Sequence, residues 1–475
     1  MTALDRHVAL VGFMGAGKST LGPQLAERLG RRFVAVDDVV ERATGRAIPK
    51  IFDEDGEAAF RALEADAAAE VLGRRELAVV ELGGGALASE QTQAALGETA
   101  FTVLLETPVD VAWERVAGSD RPLARDESRF RTLYEERSPL YEQVADARAS
   151  DLDGAVLATA GVEVGEGSLD RLGTAVPGDG PVALVADSTV AGFHGTSVRA
   201  ALGDRLASAH EIPPGEQAKS VAEAERLWSS LRLDRAGTLV ALGGGSTIDV
   251  TGFVAATYMR SVAWAPVPTT LVAQVDAALG GKTGIDIPEG KNLVGAFHWP
   301  VRVVADPDVL ETLPPAEITN GLAEVVKTGL LAGEALWELP RSEQVRRCAA
   351  FKAAICLRDP HDRAERTQLN LGHTFAHALE AASGLELPHG RAVALGLLAA
   401  LRLSGLDGEV AVVSDVLRPE KVSVDRDAAW SALARDKKNV GGSPRLVLLD
   451  APGKPRWNVE LPADDVRAAL DELIA

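Results

Sequence analysis

The sequence predicts an α/β fold in two halves, and three observations carry that prediction. Short apolar, β-rich runs alternate with longer Ala/Leu/Glu/Arg stretches through the first ~300 residues, the rhythm of strand–helix–strand units with parallel sheets. Two glycine-rich turns, at Gly12–Lys18 and Gly243–Gly245, each stand between an apolar run and a helical one. From Pro314 onward the strands thin out and the pattern becomes mainly helical.

In chain order, HVALVG, LAVVELGG and FTVLLE read as strands, with LGPQLAERLG and GEAAFRALEADAAAEVLG as helices. VALVADS and TLVALGG continue the strand pattern. Near residues 149–167 the rhythm weakens into small and acidic residues, which places a boundary there. Residues 1–160 are then a P-loop domain with a parallel sheet. Residues 161–475 form a second domain, with an α/β part over 161–313 and a mainly α-helical part over 314–475. In the helical part, AEITNGLAEVVKTGLL and a long run from Val345 to Ala382 read as helix.

Composition excludes several function classes. The 475 residues are 46% hydrophobic and 25% charged, the balance of a globular chain. Acidic residues outnumber basic ones, 69 to 49, for a formal charge of −20. Such a surface repels nucleic-acid phosphates and anionic lipid, so neither is an expected partner. The apolar run Ala392–Leu401 lies between Arg391 and Arg402 and is too short to span a bilayer. Val8–Phe13 leads into glycines and Lys18 without a cleavage pattern, so it reads as a buried strand and not a signal peptide. Two cysteines, Cys348 and Cys356, supply no disulfide framework, which fits a reducing, cytoplasmic setting.

Gly12-Phe-Met-Gly-Ala-Gly17-Lys18-Ser19 matches G-x-x-x-x-G-K-[ST] directly after a strand. Backbone N–H groups through Gly15, Ala16 and Gly17 and the helix start Lys18, Ser19 and Thr20 would wrap ATP phosphates, with Ser19 able to ligate Mg²⁺. Residues further along the first half bear on the acceptor. Asp37 ends the short strand FVAVD, Arg61 sits on a helix after the turn DEDG, and Gly83-Gly84-Gly85 follows VVEL. Arg121 lies in SDRPLARDE and Arg137 in YEERSPLY. Converging arginines with one aspartate suit a small hydroxylated acid.

In the second half, Gly243-Gly244-Gly245 lacks the Lys-Ser pair and suits a diphosphate at a helix N-terminus. Three of the eight histidines fall between 373 and 389. His373 and His377 have the i, i+4 spacing of a zinc pair, and Glu324 is the obvious third ligand, leaving an open position for catalysis. Lys282, Lys291, Asn292, Lys327, Lys352, Arg366, Lys437 and Lys438 mark anion sites in an otherwise acidic chain.

The first domain resembles shikimate kinase in GFMGAGKST, DDVVERATGRAIPKIFDEDGEAAFRALE, ELGGGAL, DRPL and YEERSPLYEQVAD. The resemblance implies ATP-dependent phosphorylation of the shikimate 3-hydroxyl. Asp37 would orient or deprotonate that hydroxyl, Arg61 and Arg137 would clamp the carboxylate, and Gly84 and Gly85 would contact the ring. Lys18 and Arg121 would act on ATP, Arg121 from a closing lid. The family usually carries a D-x-D pair where this chain reads Ala35-Val36-Asp37, so the first, Mg²⁺-associated carboxylate is absent, and Asp38, on a strand, would point to the opposite face. The family's C-terminal helix also looks shortened here.

From about Val162 the chain resembles 3-dehydroquinate synthase, in PPGEQAKS, ALGGGSTIDVTGFVAATYMR, VPTTLVAQVDAALGGKTGIDIPEGKNLVGAFHWP, NGLAEVVKTGLL, RTQLNLGHTFAHALE and PHGRAVALG. The resemblance implies a bound NAD and a Zn²⁺ (or Co²⁺) held by Glu324, His373 and His389, with His377 turned to substrate instead. Asp187, Glu216, Lys219, Gly244, Gly245, Asp249, Thr269, Thr270, Lys282 and Lys291 would line the NAD site. Arg260, Asp276, Lys282, Asn292, Lys327, Lys352, Arg366, Asn370, His377, Lys437 and Lys438 would surround the seven-carbon sugar acid phosphate DAHP, with Lys282, Lys327 and His377 catalytic. The implied reaction closes DAHP to 3-dehydroquinate, releasing phosphate and regenerating NAD, in a homodimer formed through this half. The loop GGGST and Ala376 depart from the family pattern without removing a ligand. Two alternatives stay open: a related sugar-phosphate cyclase in the second half, or a non-catalytic nucleotide-binding regulatory module in the first.

Overall fold

A computed structural model describes residues 3–118, 126–384, 386–434 and 444–475. The chain divides into two compact units, Met1–Gly161 and Val162–Ala475.

In the first unit, β1 (His7–Val11), β2 (Arg32–Ala35), β3 (Ala78–Glu81), β4 (Ala100–Leu105) and β5 (Ala147–Ala149) form a parallel sheet in the order β2-β3-β1-β4-β5. β1 and β4 are buried along their whole length, as expected of parallel strands covered on both faces. After β1 the chain turns through Gly12, Gly15 and Gly17, all with positive φ. A Cβ on Gly15 would lie 2.4 Å from the Ala112 carbonyl oxygen, so both space and backbone demand glycine there.

One local reading is corrected. β2 stops at Ala35, and Asp37 lies in the first turn of the helix Val36–Thr44, not at a strand end. Two acidic residues beside a helix N-terminus favour that early start. Asp38 is therefore separated from Asp37 by a helical step and not by strand alternation. The turn expected at DEDG is a kink at Gly56 (φ 83°, ψ 168°), where two helices meet within Ile48–Leu72, and Arg61 follows it on the second.

The helix Glu127–Val144 begins at Asp126, whose Oδ1 accepts from the Arg129 N–H at 2.9 Å. Its Phe130 is fully buried, with edge-on contacts to Phe13 at 4.9 Å and Trp113 at 5.2 Å between ring centres.

In the second unit, β6 (Val162–Val164) pairs with β13 (Val303–Ala305). The main sheet is parallel in the order β10-β9-β7-β8, from β7 (Val182–Asp187), β8 (Leu206–Ile212), β9 (Thr238–Gly243) and β10 (Ala263–Pro268). β11 (Lys282–Ile287) and β12 (Gly290–Phe297) make an antiparallel hairpin. The helical part holds Pro315–Ala332, Arg341–Arg358, His373–Ala382 and His389–Leu403. The apolar run Ala392–Leu401 is buried throughout as the heart of the last of these.

The run from Val345 to Ala382 is not one helix. It breaks at Asp359-Pro360, where proline disfavours a helical residue before it, and Asp359 Oδ2 accepts the N–H groups of Ala364 and Arg366. A hairpin of β14 (Leu446–Ala451) and β15 (Lys454–Val459) interrupts the helical pattern expected to the C-terminus. Among the described residues no helix is long and apolar enough to cross a membrane.

Phe130→Ala removes the ring that anchors the Glu127–Val144 helix. Urea unfolding should show the first unit destabilised by about 3–5 kcal/mol.

Candidate active sites

In the first unit the P-loop leads into the helix Lys18–Arg28, whose N-terminus at Gly17 has no side-chain cap. Such a terminus leaves N–H groups for phosphate oxygens. The Lys18 ammonium is buried and donates to the carbonyls of Gly12 at 2.7 Å and Phe13 at 3.2 Å. Ser19 Oγ donates to Glu81 Oε1 at 2.6 Å. Thr20 follows on the exposed side of the same turn. Arg115 donates to the Gly15 carbonyl at 3.0 Å.

Beside the loop, four segments converge at the carboxyl ends of the strands. Arg61 pairs with Glu64 at 2.6 Å and Glu57 at 3.2 Å. Arg137 Nη1 and the Tyr141 hydroxyl both donate to the Gly84 carbonyl, at 2.8 and 2.5 Å. A Cβ on Gly85 would reach within 2.4 Å of the Arg61 guanidinium, and one on Gly83 within 2.2 Å of Glu64 Oε1 and 3.3 Å of Asp37 Oδ1. The glycines thus let the carboxylates and guanidinium groups crowd one floor. Burial pushes the Glu64 carboxyl up, more than Arg61 pulls it down, and Asp37 adds to the rise. Burial likewise pushes the Tyr141 phenol up to about 12. Asp37, Arg61, Gly84, Gly85 and Arg137 are therefore neighbours, and Arg121 lies outside the described residues. Sequence reasoning missed Glu64, Glu81 and Tyr141. The i, i+3 pair Arg61–Glu64 and the i, i+4 pair Arg137–Tyr141 were the available signals.

In the second unit, the helix Gly245–Thr257 starts without a side-chain cap just past β9. Gly244 packs close to Thr270, where a Cβ would sit 3.1 Å from Cγ2. Thr269 is buried beside Gly243, and its hydroxyl oxygen has no protein partner. Lys219 is buried and donates to Asp249 at 2.9 Å and Asn292 at 2.6 Å. Burial lowers the Lys219 ammonium, but Asp249 and Glu216 outweigh it and hold the group charged. Glu216 accepts from Ser246 at 2.7 Å and pairs with Lys291 at 3.4 Å. Asp187 caps the helix Ser188–Leu202 through Oδ1, bonded to the Thr189 and Val190 N–H groups. An uncapped helix N-terminus, a glycine turn and an orphaned buried hydroxyl fit a dinucleotide diphosphate and ribose.

Asp276, on a single π-helical turn Ala273–Ala277, links this region to the next cluster. Its Oδ1 lies 2.9 Å from Lys352 and 3.5 Å from Lys327. Burial pushes the Asp276 carboxyl up, but Lys352 and Lys327 win and hold it at about 2. Lys327 also pairs closely with Glu324, and both are fully buried. Glu324 Oε1 stands 3.3 Å from His373 Nε2 and 3.2 Å from His389 Nε2. One ligand atom from each of the three lies within 4.8 Å of the others. The opposite ring nitrogens face acceptors: His373 Nδ1 the Leu371 carbonyl at 3.2 Å, His389 Nδ1 the Glu380 carboxylate at 3.1 Å. That arrangement presents both Nε2 atoms as ligands, so the donor set fits zinc.

The candidate ligand cluster holds His373 with His389 and not the spacing pair His373–His377. His377 is exposed, its ring centre 5.5 Å from that of His373. Lys282 pairs with Asp362 at 2.5 Å, and buried Arg366 donates to the Pro360 carbonyl at 3.0 Å. Asn370 Nδ2 donates to the Thr367 carbonyl at 2.9 Å. Arg260 stands exposed in a turn after Thr257, with a left-handed backbone at Met259, Arg260 and Ser261. Lys437 and Lys438 lie outside the described residues.

Burial lowers the His389 imidazole, but Glu324 and Glu380 raise it further, to about 10 in the metal-free protein. The ring is charged at neutral pH and has to lose a proton before its Nε2 can ligate. Zinc affinity should therefore rise with pH, with about one proton released per ion near pH 7. Calorimetric titration in buffers of different ionisation enthalpy reads that number directly. Glu380→Gln should weaken zinc binding about 10- to 100-fold.

Comparison with known proteins agrees with this division. The family described as shikimate kinase matches residues 14–159, and the N-terminal and C-terminal families of 3-dehydroquinate synthase match 209–320 and 321–439. A 3-dehydroquinate synthase of Bordetella pertussis is 41% identical over 342 residues, covering 65% of this chain and 95% of that protein. A 2-epi-5-epi-valiolone synthase from Streptomyces hygroscopicus subsp. jinggangensis, solved with NAD⁺ and Zn²⁺ bound, is 25% identical over 66% of this chain and 96% of its own, with a TM-score of 0.59. A bifunctional shikimate kinase/3-dehydroquinate synthase of Thermotoga maritima is 33% identical over 468 residues, 92% of this chain and 94% of that protein. With both sites and both matches in one chain, it belongs to the shikimate kinase family over its first unit and to the 3-dehydroquinate synthase family over its second, a bifunctional enzyme of the two.

Proposed function

We propose that the first unit transfers the terminal phosphoryl group of Mg·ATP to the 3-hydroxyl of shikimate. The second unit converts DAHP to 3-dehydroquinate with release of phosphate, with a zinc-like ion held by Glu324, His373 and His389. The carrying observation is that each unit sets an uncapped helix N-terminus near a second cluster of charge suited to a hydroxy acid.

In the first unit, Arg61 and Arg137 offer planar forks to a carboxylate, and Asp37 accepts the proton of the hydroxyl that attacks. Lys18 exchanges its carbonyl partners for phosphate oxygens and stabilises the charge that builds on them. In the second unit, Glu324, His373 and His389 would hold a zinc ion, which would supply Lewis-acid chemistry at an alcohol, and the glycine turn at Gly243–Gly245 with Thr269 would hold NAD⁺, which would supply hydride-transfer chemistry. Lys327 is held between Asp276 and Glu324, positioned to donate to a substrate oxygen. Lys282, Lys352 and Arg366 supply charge for the substrate's phosphate and carboxylate. His377, outside the metal set, is the proton carrier facing substrate. Identity of 41% to a dehydroquinate synthase against 25% to a valiolone synthase supports DAHP over other sugar phosphates. The two buried thiols suit a reducing, cytoplasmic setting, and a homodimer through the second unit is the expected assembly, checked by sedimentation.

Chelation of the purified chain should abolish phosphate release from DAHP while shikimate-dependent ADP formation, assayed afterwards in excess Mg²⁺, continues. Loss of both activities would mean that the two reactions are coupled. Arg137→Lys keeps the charge but loses the fork, so KM for shikimate should rise at least tenfold while KM for ATP stays within about twofold. Equal effects on both substrates would remove Arg137 from the acceptor site.

A further inference from the structure

The P-loop hydroxyl of Ser19 already touches a carboxylate, that of Glu81. We propose that Glu81 is the protein carboxylate of the Mg²⁺ site in the first unit, acting together with Ser19. The inference rests on the reading of this unit as a Mg·ATP-dependent kinase.

Mg²⁺ in phosphoryl-transfer sites is commonly held by one or two carboxylates with waters and substrate phosphates, alongside the P-loop Ser or Thr. Several carboxylates lie on the segments around this site, and two of them face the acceptor side. Asp37 sits against Gly83 and Glu64 on the acceptor side. Glu64 is buried and bonded to Arg61. Asp38 is exposed, one helical step beyond Asp37. Glu81 remains. It is the last residue of β3, and its Oε1 accepts the Ser19 hydroxyl at 2.6 Å.

Strand register explains why this position can do the work. Glu81 is the direct partner of Leu10 on β1, two residues before the P-loop begins at Gly12. On its other side its partner is Ala35 at the end of β2, a residue with no donor atom in its side chain. The carboxylate of this rung of the sheet therefore comes from β3 and not from β2. The hydrogen bond has the right sense as well. Ser19 gives its proton to Glu81, which leaves the hydroxyl lone pairs available to a cation. Glu81 is only partly buried, so a hydrated ion can reach it.

The test is ADP affinity by calorimetry, with EDTA and with saturating Mg²⁺, for the full chain and for Glu81→Gln. The wild-type chain should bind ADP more tightly when Mg²⁺ is present. Glu81→Gln should lose that metal-dependent gain about tenfold or more, with its affinity in EDTA within twofold of wild type. Glu81→Ala removes both oxygens and serves the same comparison should the amide itself ligate. A wild-type gain in both variants overturns the proposal. An equal loss with and without Mg²⁺ also overturns it, because Glu81 would then support the loop and not the ion. If the wild-type chain binds no ADP under either condition, the kinase reading fails and the proposal falls with it.

Discussion

A carboxylate without access to water has to be surrounded by compensating charge, and Glu324 imposes that condition on the helical part of the second unit. Its side chain is fully buried, which by itself would favour the neutral form. Lys327 one turn along the same helix and His373 from another helix overcome burial and hold the carboxyl well below its usual range. Lys327 is buried too, so its charge needs a second carboxylate, which Asp276 provides, and Asp276 in turn draws in Lys352. Each compensation calls for the next, until the cluster spans from the Ala273–Ala277 turn to His373 and His389. The floor of the acceptor site in the first unit follows the same logic on a smaller scale. Glu64 is buried, Arg61 is its partner, and glycines at 83 and 85 supply the room.

A second constraint is shared by the two units. Parallel strands end at one edge, and a chain that must turn at once into a helix needs glycine there. The turn then leaves the helix N-terminus without a side-chain cap, and anions complete it. The residues that open each helix separate the two uses of this device. Lys18 and Ser19 open the first helix and bring a charge and a hydroxyl to a phosphoryl group that moves. Gly245 and Ser246 open the second, with Ser246 committed to Glu216, and nothing there serves transfer.

Much of this was legible because it is local. The P-loop is a contiguous motif, and the buried parallel strands announce themselves as unbroken apolar runs. The metal site was legible only in part, for a physical reason. Spacing reports which residues share one helix face, so it favoured His373 with His377, while the histidine that clusters with Glu324 and His373 is His389, which opens a different helix after a loop. Only the resemblance to dehydroquinate synthase brought His389 in. Glu81 was invisible to spacing because its contact with Ser19 spans 62 residues and depends on strand order. The β14–β15 hairpin was lost for the opposite reason: two short strands around Pro452-Gly453 carry little weight against a long helical context. Asp37 was assigned to a strand because FVAVD is apolar and β-branched, whereas adjacent acidic residues at a helix start decided the matter.

Among the described residues, the first site is assembled from Gly12 to Tyr141 and the second from Asp187 to His389, each from its own unit. The two reactions are also not consecutive, since the ring product of the second unit has to be dehydrated and reduced before it becomes the acceptor of the first. The product of neither reaction is therefore the substrate of the other. What one chain does fix is the ratio of the two enzymes, one copy of each per chain.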